Sequence, residues 1–367
     1  MSHPHDPPHP DNPPERRQFP RWRDPTTATA VATVAHVLVA GAAGWFLLQQ
    51  LAPVVRPLLV AVFLAYILLP YHSRLRHHIG GPASIGALAG LTAGVLVGLA
   101  VVVYASVLGL SEDLPHLQAR AAELLHAAER ELGRLPPWAS SLKPSDVPQD
   151  KVAAQLSRAY GPLLGLAADM LLEAVVIGMY LLFLLLEGSR FPDRVRRAYP
   201  PERAEEILQI AGQVSAAIVS YLRVKVRSSL FLAVPVGLIL WAFGVKFATL
   251  WALLTFLCNF IPYIGPVVAY CLPVGFGFLW FGLGWEPIAV GVLLMCCHAL
   301  SAAVVEPTMI GNAVGLSPLV LLAALAFWGL LWGIPGMFLA VPLTVVSVIV
   351  MNHFESTRAV AGLLRGE

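Results

Sequence analysis

The chain has 367 residues, of which 57% are hydrophobic and 13% charged, with a formal net charge of +2. Roughly a quarter of an ordinary soluble chain is charged, and residues 247–352 carry only Glu286 and Glu306 as formal charges. No water-soluble domain hides that much apolar surface, so the composition excludes a soluble enzyme or nucleic-acid binder and points to a polytopic membrane protein.

Residues 1–26 are rich in Pro and His and end in Arg16, Arg17, Arg21 and Arg23. Such a segment buries nothing and reads as a disordered tail. Its arginines should hold that end in the cytoplasm. Apolar runs follow near 27–48, 54–69 and 85–110, which make residues 27–110 the first three spans. Residues 111–162 read as a helical insertion outside the membrane. Leu114, Leu117, Ala121, Leu124, Leu125, Ala128, Leu132 and Leu135 recur at helical steps, and Pro136-Pro137 is expected to stop that helix. A second short helix should end near Gly161-Pro162. The fourth span covers 163–186.

Residues 187–227 are basic and amphipathic. Ile207, Ile210, Val214, Ile218, Tyr221 and Leu222 form one face, and Glu205, Glu206, Gln209 and Gln213 the other. This segment should lie along the inner surface and turn into the fifth span. Arg223, Lys225 and Arg227 form a basic group at that mouth, suited to lipid phosphates or to an arriving substrate. Residues 228–352 then hold spans five to eight, and 353–367 form a tail whose Arg358 and Arg365 favour the cytoplasm. The expected fold is an all-α bundle of about eight spans with both termini inside.

Two interruptions within the last apolar block bear on function. One is Asn259-Phe260-Ile261-Pro262-Tyr263-Ile264-Gly265-Pro266, the other Gly333-Ile334-Pro335-Gly336. Proline removes a backbone donor, glycine tolerates the open conformations that follow, and lipid satisfies neither. Broken helices in corresponding positions are the sequence pointer to a transport site; kinks packed in a bundle are the plainer alternative. Glu306, in Val305-Glu306-Pro307 with Gly311 beyond it, is costly at bilayer depth unless paired or protonated. It either binds a cation or proton or marks a helix end. Glu173 and His298 raise the same question more weakly. Cys258, Cys271, Cys296 and Cys297 lie in apolar runs and read as packing residues. The Cys296-Cys297-His298 spacing matches no common metal site, and nucleotide, zinc-protease and serine-hydrolase motifs are missing. No cofactor is expected, and any uphill movement of solute must draw on ion gradients.

Together, Tyr221-Leu222-Arg223, the 259–266 segment, Val305-Glu306-Pro307 with Ile310-Gly311 and Gly315-Leu316-Ser317-Pro318-Leu319, and the run from Gly333 to Leu343 resemble the autoinducer-2 exporter family of permeases. Pro57-Leu58-Leu59, Phe63-Leu64-Ala65-Tyr66 and Leu182 through Gly188 are similar to its second and fourth span motifs. Asn312 departs from the family, where a basic residue is common. The resemblance implies a multi-pass permease of the bacterial inner membrane, acting as a homo-oligomer in the lipid bilayer on a small solute or cation. Some members are linked to export of a small furanosyl signal and others look like sodium–proton antiporters. A membrane scaffold acting through the external helices is the rival from another class.

Overall fold

The computed structural model describes residues 25–133, 149–188, 190–305 and 317–365, and every element among them is helical. Eight of the described helices are long and apolar enough to cross a membrane. Contacts divide the chain into two units, Met1–Leu51 and Ala52–Glu367. The first contributes α1 (Pro25–Gln50), a helix without a formal charge. Its Val37, Leu38 and Val39 are uncovered, as suits a helix solvated by lipid.

The second unit begins with a helical hairpin, α2 (Ala52–Ile79) and α3 (Gly81–Gly133), turned at Gly80, whose φ of 85° suits glycine. Buried His72 and Ser84 share a hydrogen bond of 2.5 Å across this turn. Helix α4 (Gln149–Gly188) returns along α3 and also packs on α2. Ala61, Ala65, Ala89, Ile177, Leu181 and Leu185 close the core between the three.

Here the helices differ from the sequence expectation. α3 passes through residue 110 without a break and contains Pro115, and α4 contains Pro162 instead of starting after it. An internal proline deletes one backbone hydrogen bond, whereas α3 and α4 pack over much of their length. Past these prolines they stay joined, with Gln118 donating to Ser157 at 3.0 Å. Pro136 and Pro137 lie outside the described residues.

After the short α5 (Phe191–Ala198), helix α6 runs from Pro201 to Ala242 without interruption. The expected turn between a surface helix and the fifth span is not there. The reason is burial. Ile218, Tyr221 and Leu222 pack on Phe63 of α2, on Phe260 and on Leu339 and Val341, so the amphipathic face meets protein. α6 closes on Gly244 at φ 72°, and Val245 N–H reaches back to the Leu240 carbonyl.

Helices α7 (Ala248–Cys258) and α8 (Ile264–Phe281) follow, then α9 (Trp285–Leu300), which ends in a π-helical turn at Ser301–Val305. The last elements are α10 (Pro318–Trp332), α11 (Ile334–His353) and α12 (Glu355–Arg365).

Side-chain contacts reveal the path of these pieces. Lys246, just before α7, pairs with Asp113 of α3 at 2.5 Å and lies 5.8 Å from the ring centre of Trp280, near the end of α8. Trp280 also meets His116. Thus α7 and α8 form a hairpin that starts and finishes at one end of the bundle. The α10–α11 pair does the same from the other end. Ser317 N–H approaches the Leu364 carbonyl at 3.5 Å, and His353 at the foot of α11 bonds Glu206 near the start of α6.

Candidate functional site

Helix α7 spans about 17 Å at roughly 1.5 Å per residue, so its end falls near the middle of a hydrocarbon core about 30 Å thick. The chain reverses there through residues 259–263. Phe260 and Ile261 donate to the Leu257 and Cys258 carbonyls, and Ile264 N–H reaches the Pro262 carbonyl at 2.7 Å. That last bond closes a γ-turn centred on Tyr263, at φ 62° and ψ −53°, a strained conformation for a residue with a side chain. Gly265 N–H then bonds the Ile261 carbonyl. The amides of Phe260, Ile261, Ile264 and Gly265 therefore find partners inside the turn itself.

Glycine makes the reversal sterically feasible. A Cβ on Gly265 would stand 1.7 Å from the Cys258 carbonyl oxygen. The second interruption repeats the device. Gly333, at φ 68°, separates α10 from α11, Pro335 occupies the first turn of α11, and a Cβ on Gly336 would stand 1.9 Å from the Trp328 carbonyl oxygen. The two interruptions are in contact through their neighbours. Phe260 stacks on Phe338 with centroids 4.6 Å apart, and Ile261 packs against Ala340 and Leu325.

Polar groups gather under the first reversal. Lys225, only 6% exposed, donates from Nζ to the Asn259 carbonyl oxygen at 3.0 Å. It thereby occupies the negative, carbonyl-bearing end of α7. Asn259, 2% exposed, donates from Nδ2 to Ser229 Oγ at 3.0 Å and to Ser228 Oγ at 3.4 Å. Ser228 in turn donates to the Lys225 carbonyl. A buried ammonium and amide at this depth are tolerated only with such partners.

Beside the network lies a cavity of about 450 Å³, within the ordinary range for small-molecule sites. Asn259 and Pro266 line one wall, Tyr270 another, and His298 and Ser301 the wall contributed by α9 and its π-turn; Leu232 and Met295 supply apolar surface. His298 Nε2 and Ser301 Oγ are buried without a hydrogen-bond partner among the described residues. A π-turn widens the helix by one residue, a feature that recurs at functional sites. Here it sets Ser301, 3% exposed, against the cavity.

The sequence model of the AI-2E family transporters matches residues 35–356. The chain belongs to that family. Among the relatives of this AI-2E member, the AI-2 transport protein TqsA of Escherichia coli K12 is 27% identical over 321 residues, covering 85% of this chain and 90% of TqsA. A candidate transport protein of Mycobacterium tuberculosis is 29% identical over 314 residues, 83% of this chain and 84% of its own. YhhT of Escherichia coli K12, also a candidate transport protein by name, is 35% identical over 194 residues. That match spans 52% of this chain and about half of YhhT, 54% of its length.

Of the residues singled out from sequence, Asn259 and Pro266 line the cavity, and Pro262 and Gly265 shape the reversal beside it. Gly333, Pro335 and Gly336 shape the second interruption and are not among the cavity's lining. The basic group is split. Lys225 is buried beneath the reversal, while Arg223 and Arg227 are exposed and line a separate groove with Tyr71 of α2. Helix geometry is the cause, because residues two apart point about 200° apart around the axis. Glu306, Pro307 and Gly311 lie outside the described residues. Ser228, Ser229, Tyr270 and Ser301 escaped sequence reasoning. The one available signal was the adjacent pair Ser228-Ser229, polar residues opening an otherwise apolar run.

Proposed function

We propose that this AI-2E family member is a secondary transporter that moves a small solute across the bacterial cytoplasmic membrane, driven by an ion gradient. The observation that carries the reading is the cavity beside the α7–α8 reversal, where His298 and Ser301 hold unused polar atoms next to Asn259. Such atoms are costly in the membrane interior unless a ligand or water meets them. Interrupted helices at mid-depth are where secondary transporters place their substrates. The described lining offers hydroxyl, imidazole and amide groups but no carboxylate, which favours a neutral or anionic hydrogen-bonding solute over a bare cation. That lining supports solute transport over sodium–proton antiport. AI-2, which the name of TqsA gives as that protein's cargo, is the first candidate here. Pro262, Gly265, Gly333, Pro335 and Gly336 shape the path in this reading. Glu306, Pro307 and Gly311 are assigned to the same path in this reading, with Glu306 serving the coupling ion. Both termini face the cytoplasm, and the working form is a homo-oligomer.

The test is flux in proteoliposomes across a panel of small solutes, with and without imposed proton and sodium gradients. Asn259→Leu and His298→Phe should lower solute flux by about tenfold or more, the cost of losing a hydrogen bond to bound cargo, while Glu306→Gln should uncouple it from the gradient. Unchanged flux in the first two variants, with normal assembly, would discard the cavity.

A further inference from the structure

Arg223 and Arg227 stand one turn apart on α6 and face a groove of about 530 Å³ between α6 and the end of α2. Its floor is apolar, made by Ile67, Val219, Leu222 and Val226, and Tyr71 stands at its rim, 56% exposed. Neither guanidinium meets a carboxylate among the described residues. Like charges at this helical spacing repel, and the arrangement becomes favourable when an anion sits between them. Two guanidinium forks lining one groove suit the oxygens of a phosphate.

Position along the helix narrows the occupant. Residues 228–242 of α6 contain no charged side chain, whereas Glu202, Arg203, Glu205 and Glu206 crowd its start. From Arg223 to the end of α6 at Ala242 the rise is about 28 Å at roughly 1.5 Å per residue, close to one hydrocarbon thickness of about 30 Å. The pair therefore falls at headgroup level, with its apolar floor continuing along α2 and α6. A free phosphate would use the guanidiniums and leave that floor bare.

We propose that this groove binds an anionic glycerophospholipid, its phosphate held between Arg223 and Arg227 and its glycerol and first acyl carbons laid on Ile67, Leu222 and Val226. The site is separate from the cavity beside the α7–α8 reversal and does not depend on what the protein transports. Bound there, the lipid bridges α2 to α6 on the side of α6 turned away from Lys225 and its bond to Asn259.

The experiment is native mass spectrometry of the full chain released from micelles holding equal amounts of phosphatidylglycerol and phosphatidylcholine. The intact protein should keep phosphatidylglycerol in preference. Arg223→Gln/Arg227→Gln should cut that retention by about tenfold or more, as expected on losing charge-assisted bonds to a phosphate. Val226→Trp should cut it too, by filling the floor with both charges in place. Arg196→Gln/Arg197→Gln, which removes equal charge from α5, should retain the lipid, and thermal unfolding verifies that each variant is folded. The proposal fails if the Arg223/Arg227 variant keeps its lipid, if the α5 variant loses as much, or if Val226→Trp has no effect. Displacement of the lipid by millimolar inorganic phosphate or glycerol 3-phosphate would also overturn it, marking the pair as a soluble-anion site.

Discussion

Lys225 and Asn259 illustrate how a few atoms hold an interrupted helix together in oil. With Lys225→Met the Asn259 carbonyl loses its ammonium partner, and an unsatisfied buried acceptor costs roughly 1–3 kcal/mol. A lower midpoint of thermal unfolding in detergent is expected. An unchanged midpoint would mean that the contact contributes nothing. The two glycines make a sharper comparison. Gly265→Ala and Gly336→Ala each force a methyl onto a backbone oxygen, whereas a Cβ at Gly275 on α8 meets nothing within 4 Å. The first two variants should lose stability or fail to assemble. Gly275→Ala should be neutral or gain a few tenths of a kcal/mol from helix propensity, as read by the same melts. These glycines were legible in the sequence because an Ile-Pro step followed by glycine has few uses inside an apolar run. Lys225 was not legible in its actual place. Proximity in the chain grouped it with Arg223 and Arg227, and only the turn of the helix separates them.

Among the elements, the α7–α8 hairpin depends on how its ends are fastened. The Lys246–Asp113 pair ties the start of α7 to α3, and Trp280 and Phe247 lie close to the same ammonium. Removing either charge should loosen this corner, although a partly exposed pair contributes only about 0–1 kcal/mol. The informative measurement is a double-mutant cycle. Asp113→Ala and Lys246→Ala should each destabilise, the double variant should cost no more than either alone, and Asp113→Lys with Lys246→Asp should recover part of the loss. Additive effects would mean that the two side chains act independently. Interruptions at residues 259–263 and 333 were readable from composition, since proline and glycine mark them directly. Pro115 and Pro162 carried the same mark and proved to lie inside continuous helices. What overrides them is packing between α3 and α4, and a single sequence does not display which long helix will be braced by another.

For the molecule as a whole, apolar length was the legible quantity and path was not. Eight stretches have the length and hydropathy to cross, yet α8 returns to the end from which α7 departs, a fact carried by contacts between residues far apart in sequence. Accessibility labelling tests this directly. In a background without Cys258, Cys271, Cys296 and Cys297, a cysteine at Leu283, in the turn after α8, should react with an impermeant thiol reagent from the same side as one at Lys246. A cysteine at Ile79, at the α2–α3 turn, should react only from the opposite side. In the proposed orientation the second side, with the basic residues near that turn and through α5, is the cytoplasm. Reaction of positions 246 and 283 from opposite sides would show that the hairpin is two crossings and would remove the mid-depth placement of the cavity.

The wide turn at Ser301–Val305 has a mechanical meaning. One surplus residue stored in a coil is slack: drawing it in or letting it out shifts the flanking segments by about 1.5 Å and rotates them by about 100° relative to each other. Ser301 opens that loosely wound stretch and His298 sits one turn before it. A small screw motion there would swing both side chains together away from the hollow they border, so that emptying it needs no rigid helix to travel far.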